Sequence, residues 1–73
     1  METLKIYQEY RFKKGGSEFY ISEGQNLKVK LAPGDVLEGA LVEVGQVSQC
    51  FDIETVDEVI TIDCENVMDI IPV

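Results

Sequence analysis

The residues that most often do chemistry are sparse in this chain. Histidine is absent, and so is tryptophan. Without imidazole there is no Ser-His or Cys-His nucleophile pair, no histidine general base and no mixed Cys/His zinc set. Cys50 and Cys64 are the two cysteines, and they form no Cys-x-x-Cys pair. Cys64 runs in phase with Ile60 and Ile62 and reads as a small core residue. Cys50 stands near Asp52 and Glu54, and carboxylates oppose thiolate formation. Both read as free thiols of a reducing compartment. Ser17, Ser22 and Ser48 lie in or beside turns, with no base at a supporting spacing. Gly15-Gly16 and Gly24 are turn glycines and do not make a phosphate-cradling loop. The expectation is a protein that is not an enzyme and carries no cofactor.

Charge is abundant and unevenly placed. Six bases and fourteen acids give a net charge of −8. Lys5, Arg11, Lys13, Lys14, Lys28 and Lys30 all precede residue 31 and share that stretch with Glu2, Glu9, Glu18 and Glu23, so six against four leaves +2. From Asp35 onward ten acids meet no base, which is −10. Such a chain repels nucleic acid and anionic lipid at long range. Only a local patch in the first half would reverse that.

Lys5, Tyr7, Arg11 and Lys13 fall on one face of an alternating run, and Lys28 and Lys30 on one face of another. Lys14 and Tyr20 are near in sequence. Side by side, the two runs would make a cationic sheet face with interleaved aromatics, a composition that stacks bases and holds phosphates. The simpler reading is a solvated outer face whose lysines guard a sheet edge. In the second half Asp52 and Glu54 share a face, with Asp57, Glu58, Asp63 and Glu65 close by. A hard cation needs convergent oxygens from a loop of fixed geometry, and no EF-hand spacing is present. The acids read first as a solubilising face. Their functional alternative is a surface that mimics a phosphate backbone and occupies a nucleic-acid-binding protein.

Strands and turns must position these residues. Leu4, Ile6, Gln8, Tyr10 and Phe12 alternate with Lys5, Tyr7, Glu9, Arg11 and Lys13, a period of two. Gly15-Gly16 then turns the chain into Phe19, Tyr20 and Ile21, which predicts an N-terminal hairpin over 3–22. Leu27, Val29 and Leu31 alternate with Lys28 and Lys30. Pro33-Gly34-Asp35 reverses the chain. Val36 to Val44 is apolar on both faces, and Gly39 marks a bend or bulge. Gly45-Gln46 is a turn. The next run, Val47 to Thr55, points Val47, Phe51 and Ile53 inward. Val59 to Asp63 points Ile60 and Ile62 inward. Cys64, Val67, Met68 and Ile71 have helical spacing, with Asp63 as the cap of a short helix. Because Pro72 closes so short a segment, the preferred reading is a tight or 3₁₀ turn at Glu65-Asn66 that leads to a last strand through Met68 to Ile71. The expected core is Leu4, Ile6, Phe12, Phe19, Val29, Leu31, Leu41, Phe51, Ile53, Ile60 and Ile62. Residues 1–73 make one domain, with barrel strands over 27–71, because so short a chain has no room for a second core.

From Leu27 onward the pattern resembles the small SH3-like barrels of the Sm-like kind. The resembling pieces are Leu27 to Leu31, the turn Pro33-Gly34-Asp35, the glycine-bearing strand Val36 to Val44, Phe51 to Glu54, and the end from Ile60 to Ile71. The resemblance implies an all-β, mostly antiparallel barrel with an added N-terminal hairpin in place of a helix. It does not imply RNA binding. The loop Gly45-Gln46-Val47-Ser48 lacks the Asp and Asn that such proteins use, and Asp63-Cys64-Glu65-Asn66 is acidic where they carry an Arg and a Gly.

The function expected is a non-catalytic interaction module that binds a protein partner or a second copy of itself. The alternatives are nucleic-acid binding through Lys5, Tyr7, Arg11, Lys13, Lys28 and Lys30, and the acidic mimic. The start Met-Glu-Thr-Leu-Lys has no basic segment followed by an apolar one, so a cytoplasmic protein without a membrane contact is expected.

Overall fold

A computed structural model describes residues 3–8 and 10–73. The positions given above to Glu2, Glu9 and the Gln8 side chain lie outside the described residues. The fold is all-β. Strands β1 (Lys5–Gln8), β2 (Arg11–Lys14) and β3 (Ser17–Tyr20) form one antiparallel sheet in that order. Strands β4 (Asn26–Leu31), β5 (Val36–Gly45), β6 (Cys50–Glu54), β7 (Val59–Asp63) and β8 (Val67–Pro72) form a second, ordered β7-β6-β5-β4-β8. Among the described residues a single 3₁₀ turn, Cys64–Asn66, leads into β8. Asp63 caps it by accepting a hydrogen bond from the Glu65 N–H at 2.9 Å. Among the described residues no helix is long and apolar enough to cross a membrane.

The expected N-terminal hairpin is instead a three-stranded meander. Its first alternating run breaks in two at Tyr10, which takes a left-handed backbone with φ 62°. The chain folds back so that Ile6 faces Phe12 and Lys5 faces Lys13 across β1 and β2. Periodicity missed this reversal because alternation continues through it, and no glycine or proline marks the place. The Tyr10 hydroxyl donates to Glu23 at 3.0 Å, and the Ile21 N–H donates to the Tyr10 carbonyl at 3.0 Å.

The larger sheet does not close into a barrel: β7 and β8 are its two edges. The meander covers its inner face instead. Leu4, Ile6, Phe12 and Ile21 join Leu27, Val29, Leu41, Phe51, Ile53, Ile62, Cys64, Val67 and Ile70 in one buried cluster. Phe12 carries the contact between sheets. It stacks on Phe19 at 5.9 Å and meets Phe51 edge-on at 5.7 Å. Of the expected core, Phe19, Leu31 and Ile60 are half-buried. Val47, expected on the same strand face as Phe51 and Ile53, is instead fully exposed in the turn before β6.

Gly39 is needed for a close approach and does not form a bulge. A Cβ there would stand 2.5 Å from the Glu54 carbonyl oxygen. The β5–β6 register shift falls between Leu41 and Glu43. A register shift of this kind bends a strand and raises its twist.

Candidate interaction surfaces

The two cationic runs end up on different sheets. Lys5, Arg11 and Lys13 are exposed on the outer face of the meander, with Tyr7 half-buried among them. The Tyr7 hydroxyl donates to Glu18 at 3.2 Å, and the Arg11 guanidinium lies over the Tyr20 ring at 5.8 Å. Tyr7, Arg11, Glu18, Phe19 and Tyr20 line a shallow cleft of about 390 Å³. Lys28 and Lys30 are exposed on β4, alternating with buried Leu27 and Val29, so they sit on the outer face of the other sheet. Their cross-strand neighbours blunt them: Lys28 faces Glu38, and Lys30 faces Asp69. The single basic face considered for all six residues is therefore not formed.

The acids are strung along a hairpin. On β6 and β7, Asp52 faces Thr61, Glu54 faces Val59, and Cys50 faces Asp63. The Thr61 hydroxyl donates to Asp52 at 2.7 Å. Asp57 and Glu58 lie in the turn at one end of the hairpin, where Thr55 ties the loop through its hydroxyl and the Glu58 carbonyl. Glu65 lies at the other end, in the 3₁₀ turn. Sequence reading missed Glu43, which faces Asp52 from β5 and extends the acidic row to a third strand. Only the strand register makes that like-charge pair visible. Among the described residues no group of three or more cysteines and acids is placed to hold a metal ion.

Gln49 is the other residue missed. It sits at φ 56° just before β6 and turns its side chain onto β1. Its Oε1 accepts from the Ile6 N–H at 2.9 Å, and its Nε2 donates to the Ile6 carbonyl at 2.7 Å. A side-chain amide thus pairs with β1 as a neighbouring strand would. Gln46 adds a bond from its Nε2 to the Tyr7 carbonyl at 2.7 Å. No spacing rule in a sequence announces a glutamine that substitutes for a strand.

Cys50 and Cys64 are free thiols. Cys64 is buried, and burial pushes its thiol up to about 12, with Cys50 and Asp63 adding to the rise. It therefore stays protonated at neutral pH and acts as a packing residue. No family model matches the chain, and no curated protein or solved structure is significantly similar to it.

Proposed function

We propose that this chain is a non-catalytic interaction module that takes a protein partner along one edge of an open five-stranded sheet. We assign that sheet to the small SH3-like barrels of the Sm-like kind. A second strand that carries Gly39 at a close approach to Glu54 and a tight turn into the last strand support the assignment. The observation that carries the function is strand β7. Natural edges are guarded by lysines, prolines, bulges or covering segments. Three of the four edges here have such a device or are very short. Gln46 and Gln49 bond the outer edge of β1. The β8 edge carries Pro72, a register shift against β4, and the Lys14 ammonium on the Met68 carbonyl. Strand β3 has only four residues. Strand β7 reads Val-Ile-Thr-Ile-Asp, with no lysine or proline and no register shift against β6. Such an edge offers backbone N–H and C=O groups to an incoming strand.

The test is capture of partners from cell lysate at low and high salt, with and without nuclease, by wild type and by Thr61→Pro. Partners that survive nuclease and are lost with Thr61→Pro support the reading, given an unchanged circular dichroism spectrum for that variant. A second reading, nucleic-acid binding at Lys5, Tyr7, Arg11 and Lys13, is favoured by the Arg11–Tyr20 contact. It requires recovery of nucleic acid that falls steeply with salt and disappears in Lys5→Glu/Lys13→Glu. Recovery of a nucleic-acid-binding protein in place of its nucleic acid would instead favour the acidic mimic.

A further inference from the structure

Resting on the reading of β7 as the docking edge, we propose that its occupant is an extended segment of another protein with lysine or arginine at alternate positions and aliphatic residues between them. A strand added to β7 would point alternate side chains to the outer face, beside Val59, Thr61 and Asp63. The rows behind those residues are set by register. Asp52 lies behind Thr61, Glu54 behind Val59, and Glu43 behind Asp52. The nearest bases on this outer face are Lys28 and Lys30 on β4, beyond β5, and each already faces an acid. Strands lie ~4.8 Å apart. The long stem of a lysine or arginine on the added strand therefore spans β7 and brings its charge to Asp52 or Glu54, while Asp63 lies directly beside it on β7. A like-charge cross-strand pair such as Glu43 and Asp52 costs stability until a cation arrives.

The inner face fixes the remaining positions. Ile62 is buried, whereas Ile60, pointing the same way, is only half-buried. An aliphatic residue on the added strand completes the cover over Ile60. At the turn end, Val56 is fully exposed and Val59 is 51 % exposed, which offers further apolar contact. A second copy of this chain fits poorly. Its own β7 would bring the same acids against these, and the copies repel at −8 each.

The experiment is amide NMR on the full chain, titrated with peptides of about six residues, the usual strand length. One alternates lysine with valine, one has the same composition with the lysines in a block, and one alternates glutamate with valine. The alternating lysine peptide is expected to shift the amides of residues 59–63 and to slow their hydrogen exchange. Asp52→Asn/Asp63→Asn removes two charges while keeping an acceptor at the cap and at Thr61, and should weaken that peptide roughly tenfold or more. Equal binding of the blocked peptide, or shifts confined to other strands, overturns the proposal. If the glutamate peptide alone engages β7, the docking edge stands and the basic occupant falls. If no peptide reaches β7, both fall.

Discussion

Replacing Gln49 by alanine tests how the two sheets are held together. Ile6 is buried, and its N–H and carbonyl are both paired by this one side chain, at 2.9 and 2.7 Å. A buried backbone group left without a partner costs about 1–3 kcal/mol, and water entering at the turn lowers the total, so about 2–4 kcal/mol is expected. A domain of this size holds roughly 3–5 kcal/mol in all. The melting temperature should therefore fall by at least ~8 °C, since 1 kcal/mol corresponds to ~4–8 °C here. The assay is thermal and urea unfolding followed by far-ultraviolet circular dichroism. Gln46→Ala, which loses its bond to the Tyr7 carbonyl at an exposed site, should cost only about 0.5–1.5 kcal/mol. Gln49→Glu sharpens the test. Its carboxylate still accepts from the Ile6 N–H, but its second oxygen stands against the Ile6 carbonyl. Protonation restores a donor there, so the folded-state pKa of the introduced carboxyl must be raised. A raised pKa contributes stability that is present below the unfolded value and lost as pH rises through the folded one. The deficit of Gln49→Glu relative to wild type should thus shrink on acidification. Equal stability of Gln49→Ala and Gln46→Ala, or a deficit independent of pH, would refute the role given to Gln49.

Gly39→Ala forces a Cβ to 2.5 Å from the Glu54 carbonyl oxygen, a backbone atom that cannot step aside, and should destabilise by about 1–3 kcal/mol in urea unfolding. Phe51→Ala removes the edge-on partner of Phe12 and should cost about 3–5 kcal/mol, leaving the chain largely unfolded at 25 °C by the same measurement. Under native conditions near pH 8, a thiol reagent should modify Cys50 quickly and Cys64 slowly, with both reacting once the chain is denatured; equal native rates would contradict the burial of Cys64. Because its folded pKa is raised, Cys64 also stabilises the fold fully below its unfolded value, and that contribution should fade as pH climbs from ~8.5 toward the folded value of about 12.

Local signals were legible wherever one residue type had one physical meaning. The alternation Leu27-Lys28-Val29-Lys30 gave β4 its buried and exposed faces. The short turn at Glu65-Asn66 marks the 3₁₀ segment and β8, and Asp63 caps that turn in place of the helix that the spacing also allowed. Reading failed where the backbone broke a rule without a glycine. Tyr10 and Gln49 both take left-handed conformations that their residue types seldom adopt. The first splits an apparently continuous strand in two, and the second ends the turn that leaves Val47 in solvent. Ile21 and Val67 were missing from the expected core because they lie at a strand end or beside a turn, where only tertiary packing decides burial.

The surfaces were legible as composition and illegible as geometry. Six early bases invite a single cationic face. That face requires the meander and β4 to present the same side to solvent, and a shared core between the two sheets prevents it. Asp52 and Glu54 were visible as a pair on one strand, but Glu43 joins them only through the shifted β5–β6 register. The N-terminal sheet takes the place of barrel closure by covering the inner face of the larger one, and so leaves β7 as an edge next to the acids of β6. The open edge thus follows from the topology.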